Sequence, residues 1–271
     1  MTCSANSITI VTSSFNDDIS LEKTAISIAN QTSIPAWIIV DNNSTDSTKK
    51  VVNNYSHIVS KFISEPDLGI YDAFNKALPY VQSEWILFLG AGDLIADCFV
   101  IEKVSLLLNS DYPICYGNVM NFDRNGNYIF KLSQVNTSKW DQLKPFLPHH
   151  QGCFHNVRYF KNPYNYRFDI SYKIGADAKL LIQLLNHSKF FYIDMDISKF
   201  MMNGLSSSPS SLPIIVSEYK RIISEVNNYS PPHFLKRFRE LSLYFKLFLF
   251  YIVGERLYRK CLKILGKKVS C

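Results

Sequence analysis

The feature that most constrains this chain is a unit repeated along its N-terminal third: a short β-branched or apolar run, a polar cluster where the run stops, then a helical stretch. Ser7-Ile-Thr-Ile-Val-Thr12 reads as a strand, stops at Ser13-Ser14-Phe15-Asn16-Asp17-Asp18, and is followed by a helical pattern from Leu21 to Asn30. Trp37-Ile-Ile-Val40 repeats the theme, closing at Asp41-Asn-Asn-Ser-Thr-Asp46 before a helix over Ser47 to Tyr55, for which Ser44 or Asp46 is a fitting N-cap. A third strand near Ile58 to Ser64 leads through Glu65-Pro-Asp-Leu-Gly69 into a helix from Ile70 to Tyr80. The strand Trp85-Ile-Leu-Phe-Leu89 then stops at Gly90-Ala-Gly-Asp93. Successive strand-helix units imply a parallel sheet. Open parallel sheets bind ligands at the carboxyl ends of their strands, which is where Asp41, Asp72 and Asp93 are expected to face.

The remainder is less regular. It shows a strand around Ile114 to Val119, a turn at Arg124-Asn-Gly126, a loop containing Pro145, Pro148 and His149-His-Gln151, and a helix from Ala176 to Leu185. The Ser/Pro-rich stretch Ser206 to Pro213 reads as a boundary, dividing a catalytic domain over residues 1–205 from a linker and basic amphipathic helices over 206–271. At 271 residues, 47% of them hydrophobic, the chain can bury a full core and lies far from the disordered class. Cys3, Cys98, Cys115, Cys153, Cys261 and Cys271 form no CxxC pair, which argues for reduced thiols. The first apolar run, Ile8 to Val11, has a strand's length and not a secretory signal's, so a cytoplasmic location is expected.

Charge is unevenly placed. Residues 233–271 hold ten Lys/Arg against Glu240 and Glu255, a local +8, and subtracting this from the chain's +6 leaves −2 for the rest. An acidic body argues against nucleic-acid binding. Within the tail, Leu241 to Val253 is apolar nearly all round but interrupted by Lys246 and too short to span a bilayer. It fits a helix lying in the headgroups of an anionic leaflet, hence peripheral contact with the inner face of the plasma membrane, or a helix packed back on the body.

Four motifs occur in order: Thr9-Ile-Val-Thr-Ser-Ser-Phe-Asn16, Val40-Asp-Asn-Asn-Ser-Thr-Asp46, Ser64-Glu-Pro-Asp-Leu-Gly-Ile-Tyr-Asp-Ala-Phe-Asn-Lys76 and Trp85-Ile-Leu-Phe-Leu-Gly-Ala-Gly-Asp93. Together they resemble the family 2 glycosyltransferases, in the branch found in bacterial O-antigen, capsule and colanic-acid-type polysaccharide clusters. The resemblance implies an α/β fold of the GT-A type, a Rossmann-like mixed sheet flanked by helices, here with a C-terminal helical extension. It implies inverting transfer of a hexose-type sugar from a nucleotide-sugar donor, UDP- or dTDP-linked, to a saccharide acceptor that is lipid-linked, assisted by a divalent metal, Mg2+ or Mn2+.

Each part of such a donor demands its own chemistry. Asp41 can accept a hydrogen bond from an imide N–H of uracil or thymine, and the resemblance gives it a base or ribose role; a helix N-cap is the structural alternative. Asp46 reads first as a cap. Gly69 permits a positive φ and close approach of a ligand, while Asp72 and Asn75, three apart, share a helix face toward the nucleotide. Asp72 resembles the family's donor-pocket aspartate; an ordinary capped helix start is the alternative, and Glu65 and Asp67 stay open between the two readings. Asp93 in Ala91-Gly92-Asp93 matches the metal-contacting position of the family's Asp-x-Asp element, whose first carboxylate is absent here. His150 and Gln151 resemble its His-Gln element near the donor sugar and diphosphate, where a histidine donates a hydrogen bond or charge.

An acceptor hydroxyl ionises far above neutral pH, so inverting transfer needs a general base. Asp177 resembles the family's aspartate at the start of a helix after the acceptor loop; a first-turn acid stabilised by the helix dipole is the alternative. Asp169 is the second candidate. Phe190-Phe-Tyr192 and Tyr164, Tyr166, Phe168 read as packing, or for one of them an acceptor platform. Two other functions fit the strand-end aspartates: a sugar-nucleotide-processing nucleotidyltransferase, although Thr12 to Asp18 lacks the cation expected of a phosphate loop, and a non-catalytic sugar-binding relative.

Overall fold

A computed structural model describes residues 7–123, 125–138, 140–141, 144–202 and 209–226. Its strands are β1 (Ile8–Ser14), β2 (Ala36–Asp41), β3 (Val59–Ser64), β4 (Trp85–Gly90), β5 (Leu94–Ile95), β6 (Ile114–Phe122), β7 (Tyr128–Leu132), β8 (Trp140–Asp141), β9 (Lys144–Pro145), β10 (Cys153–Asn156) and β11 (Phe191–Met201). The helices are α1 (Asp18–Ala29), α2 (Thr48–Asn54), α3 (Ile70–Ala77), α4 (Val100–Ser105), α5 (Ala176–Leu185) and α6 (Leu212–Glu225). Nine strands form one sheet in the order β3-β2-β1-β4-β10-β6-β11-β5, with β7 on β6. The first four are parallel, β10 runs antiparallel to both β4 and β6, and β11 returns parallel to β6. β8 and β9 make a separate hairpin.

The β-branched runs form strands because both faces of the sheet are covered. On one side Ile8, Ile10, Trp37, Ile39, Trp85, Leu87 and Leu89 pack with Leu21, Ala25 and Ile28 of α1, Val51 and Val52 of α2 and Val100, Ile101 and Val104 of α4. On the other, Val11, Ile38, Val40, Ile86 and Phe88 pack with α3, with α5 and with Ile222 of α6. Consecutive side chains of a strand point to opposite faces, so these near-continuous apolar runs are what a doubly covered sheet requires. Each fully buried aliphatic or aromatic side chain contributes about 1.5–3 kcal/mol.

The expected helix over Ile70 to Tyr80 stops at Ala77 and tightens into a 3-10 turn over Leu78–Tyr80. Pro79 supplies the reason, since it has no N–H with which to continue an α-helical ladder. α6 lies beyond the boundary expected at residue 205, yet Ile222 and Val226 join the core under α5. The apolar stretch Leu241 to Val253 and its flanking cations lie outside the described residues. Among the described residues no helix is long and apolar enough to cross a membrane. Cys98, Cys115 and Cys153 are free thiols.

Candidate functional site

The chain leaves β1 toward β2 and β3 on one side and returns to place β4 on the other, so the strand order switches between β1 and β4, and open α/β sheets bind ligands beyond the carboxyl ends of the strands at such a switch. Ser14, Asp41 and Ser64 stand side by side across β1, β2 and β3, and Ser13 pairs with Gly90 of β4. The loops that follow are laced together. Asn16 N–H donates to Ser44 Oγ at 2.8 Å, and Asn16 Oδ1 accepts from Thr45 N–H at 2.9 Å. Asp46 accepts from the N–H groups of Asp18 and Thr48, both at 3.0 Å, while the N-cap of α2 is Ser47 and not Ser44 or Asp46 as expected. Asn42 Oδ1 accepts from Asp67 N–H at 2.8 Å. Asn16 and Asn43 sit at φ 47° and 51°, left-handed backbone that non-glycine residues hold only where surrounding contacts fix it.

Asp41 is wholly buried. Its carboxylate accepts from Ser44 N–H at 3.0 Å, from Ser64 Oγ at 2.8 Å and from Ser44 Oγ. Asp41 therefore organises the turn after β2 and the end of β3, and Ser44 carries its influence to Asn16 at the rim. Ser14 Oγ, next to Asp41 in the same row, is buried with no hydrogen-bond partner.

Gly69, at φ 117°, opens α3, and a Cβ there would meet nothing, so it needs glycine for its backbone and not for space. Asp72 reaches back to Leu68 N–H at 3.0 Å and lies 3.6 Å from Lys76 Nζ, which also pairs with Glu65 at 3.0 Å. Asn75 Nδ2 donates to Phe168 O at 2.8 Å and its Oδ1 accepts from Phe168 N–H at 3.0 Å. Both ends of the amide fasten α3 to the loop before α5.

Asp93 ends a tight turn after β4, where Thr24 of α1 accepts from Gly92 N–H and donates to Asp93 O, both at 2.9 Å. Gly90 N–H donates to Asp93 Oδ2 at 2.9 Å, and the Gln151 side chain and the Met201 backbone also hydrogen-bond the carboxylate. Burial nevertheless pushes its pKa up to about 7. A buried carboxylate in that condition gains from a cation. Among the described residues no group of three or more His, Cys, Asp or Glu is placed to hold one. One carboxylate suits an ion that arrives with a diphosphate and keeps several waters, not an all-protein cage.

His150 lies 7% exposed between aromatic rings, stacked on Phe88 at 5.6 Å between centroids and edge-on to Phe168 at 5.7 Å. Burial, aided by His149, pulls its pKa down to about 3. The expected gift of positive charge is thus corrected: His150 is neutral near pH 7, and its place is in the aromatic layer beneath the site. Gln151 is the member of the pair that reaches Asp93, while its carbonyl accepts from Ser198 Oγ at 2.7 Å. Gly152 lets this turn close onto β6, because a Cβ would stand 2.9 Å from Gly117 O and 2.7 Å from Val119 Cγ2.

Asp177 sits in the first turn of α5, between buried Ala176 and Ala178. Tyr71 of α3 donates to Asp177 Oδ1 at 3.1 Å and to the carbonyl of Ile174, and stacks on Phe168 at 5.7 Å between centroids. A continuous path of contacts therefore runs from Asp93 through Gln151, His150, Phe88 and Phe168 to Tyr71 and Asp177. Asp169 stands apart from it. Lys179 at 2.7 Å and the Ser171 hydroxyl and N–H hold its carboxylate, and its pKa falls to about 2 although burial opposes this. So stabilised an anion is a poorer proton acceptor than an unpaired carboxylate.

Several participants went unread in the sequence. Thr24 and Tyr71 lie in helices where nothing but location distinguishes them. β11 carried a signal, since Phe191, Ile193, Met195 and Ile197 turn to the core while Tyr192, Asp194, Asp196 and Ser198 alternate with them.

A model of Glycosyl transferase family 2 matches residues 9–181. A PGL/p-HBAD biosynthesis glycosyltransferase of Mycobacterium bovis (strain BCG / Pasteur 1173P2) is 25% identical over 140 residues, 49% of this chain and 53% of that protein. The chain spans about half the length of the curated relatives it matches in this way. S. aureus TarS superposes with a TM-score of 0.65 at 15% identity over 92% of this chain and 75% of that one, and its complex with UDP-GlcNAc with a TM-score of 0.62 at 14% over 87% and 70%. The mannosyltransferase PcManGT from Pyrobaculum calidifontis, in complex with GDP-Man and Mn2+, gives 0.61 at 15% over 89% and 70%. Likeness at such identities speaks for the fold, and the fold is GT-A.

Proposed function

The chain belongs to glycosyl transferase family 2, and from that premise we propose that it moves a hexose-type sugar from a UDP- or dTDP-sugar to a saccharide hydroxyl with inversion at the anomeric carbon. The observation that supports this reading is the switch in strand order between β1 and β4, with Asp93 in the turn after β4 and Asp177 in the first turn of α5. The strand ends with Asp41, Ser44 and Asn16 form the wall for the nucleoside, and Asp72 and Gly69 the neighbouring helix start. Asp93, oriented by Gln151, would hold a divalent ion, Mg2+ or Mn2+, which when bound would supply positive charge for the diphosphate. Asp177 takes the proton of the acceptor hydroxyl. The acceptor oxygen forms its bond to the anomeric carbon from the face opposite the diphosphate, and the bond to the phosphate oxygen breaks with its electrons leaving on the nucleoside diphosphate.

We read the acceptor as a lipid-linked saccharide of a cell-surface polysaccharide. Ten cations around the apolar segment Leu241 to Val253 support peripheral contact with an anionic membrane surface on the cytoplasmic side. The test is a panel of UDP-, dTDP- and GDP-sugars, with and without Mn2+, read by thermal shift, since a ligand that binds only the folded state raises its stability. Release of nucleoside diphosphate and NMR of the product follow. Stabilisation by GDP-sugars alone overturns the donor assignment; a retained anomeric configuration overturns inversion. Sedimentation with phosphatidylglycerol vesicles, absent with phosphatidylcholine, tests the membrane contact.

A further inference from the structure

α5 begins at Ala176 with no side-chain cap of its own, because its N-cap is Gly175. The N–H groups leading into it still need acceptors, and a single carboxylate from α6 supplies them. Glu218 Oε1 accepts from Lys173 N–H at 2.6 Å, and Oε2 accepts from Ile174 N–H at 3.0 Å and Gly175 N–H at 2.8 Å. The fit is close. A Cβ on Gly175 would stand 3.3 Å from Glu218 Oε2 and 3.2 Å from Ile222 Cδ1. Seven residues on, Glu225 accepts from Lys179 Nζ of α5 at 2.5 Å and from Tyr172 Oη at 2.8 Å. α6 thus grips α5 at its first turn and again one turn along.

The carbonyl of Ile174, whose N–H Glu218 holds, is also an acceptor for Tyr71, the residue that donates to Asp177. One peptide segment therefore fixes the start of α5 from the α6 side and the phenol from the α3 side. We propose that Glu218 is a positioning residue that sets the orientation of Asp177 toward the acceptor hydroxyl, acting through the backbone of residues 173–175. The inference rests on the reading of Asp177 as the base. Glu218 lies outside the span that matches the family model, so this support comes from a part of the chain the family pattern does not describe. An anionic acceptor on three N–H groups makes stronger bonds than a neutral one, and a base displaced by about 1 Å can cost on the order of 10²-fold in rate.

The experiment compares full-length wild type, Glu218→Ala, Glu218→Asp and Asp177→Asn. Glu218→Ala is expected to lower kcat by roughly 10- to 100-fold while donor affinity stays within about twofold, and Glu218→Asp to recover part of the loss. Amide hydrogen exchange reads the same contact without activity. In Glu218→Ala the N–H groups of Lys173, Ile174 and Gly175 should lose protection while β1 to β4 keep theirs. If wild type transfers no sugar, the functional reading fails and the exchange measurement still decides whether Glu218 holds this segment. Unchanged protection at residues 173–175, an unchanged kcat in an active enzyme, or a parallel fall in melting temperature, donor affinity and kcat with no recovery in Glu218→Asp would each overturn the proposal.

Discussion

The phenolic oxygen of Tyr71 lies 3.1 Å from Asp177 Oδ1 and divides its one proton between that carboxylate and the carbonyl of Ile174. The hydrogen bond ties the orientation of Asp177 to α3. Asp177→Asn should lower kcat by about 10²–10⁴-fold with donor affinity close to wild type, because the lost interaction belongs to the transition state. Tyr71→Phe should follow in the same direction with a smaller loss. Steady-state kinetics beside donor calorimetry checks both, and a normal kcat in Asp177→Asn moves the base elsewhere.

Asp93 is expected to matter only while a divalent ion is present. Chelation should abolish transfer, Asp93→Asn should cripple it, and added Mn2+ should restore the chelated wild type but not the variant. Full turnover in excess chelator would mean that the diphosphate departs with help from hydrogen-bond donors alone.

At the end of β2, Asp41→Ala removes the acceptor for three hydrogen bonds and lets the loop that follows relax. Donor dissociation should weaken at least tenfold, about 1.4 kcal/mol. Ser64→Ala, which deletes one of the three, should cost less. Calorimetry showing unchanged donor binding in a folded Asp41→Ala protein takes this residue out of the nucleotide site.

Asn75 should behave as a fastener. Replacing it by Ala strands the N–H and carbonyl of Phe168, at about 1–3 kcal/mol for groups left unsatisfied. The melting temperature should drop while donor affinity of the folded protein holds. The reverse pattern, normal melting with weakened donor binding, would place Asn75 on the nucleotide face.

Acid should unfold this protein through its buried histidines. Burial holds the pKa of His150 at about 3 and that of His155 well below the usual 6.5, so the unfolded chain binds protons more readily than the folded one between those limits. The stability these neutral rings allow is complete above about pH 6.5 and falls as pH drops toward 3. Melting temperatures across that range, compared with His155→Phe, should show a shallower slope in the variant. An equal slope would place the acid sensitivity in other groups.

How much of this was legible depended on whether a residue's role is local. β1 to β4 and the polar clusters that end them follow from strand patterns and turn residues, and α5 was read with its observed limits because Ala176 to Leu185 is apolar on the buried side. The roles of Asn75 and Glu218 were not readable, since each bonds a backbone segment 93 or 43–45 positions away and no spacing rule joins them. His150 misled for a related reason. A histidine beside a glutamine in a loop suggests a hydrogen bond or charge for a diphosphate, but Phe74, Phe88 and Phe168, drawn from three separate segments, surround it with apolar rings that disfavour the charge.

The insertion of β10 between β4 and β6 orders the events of synthesis. The four parallel strands and the loops that end them are complete once Gly90 has emerged, whereas the sheet cannot be extended past β4 until Cys153 to Asn156 exists, and α5 and α6 come later still. Contacts between distant parts of a chain form late because the intervening loop must first be closed. A chain stopped between β4 and α5 would hold the ends of β1 to β4 but not Asp177, and one face of its sheet would lack the cover that residues 153–226 provide.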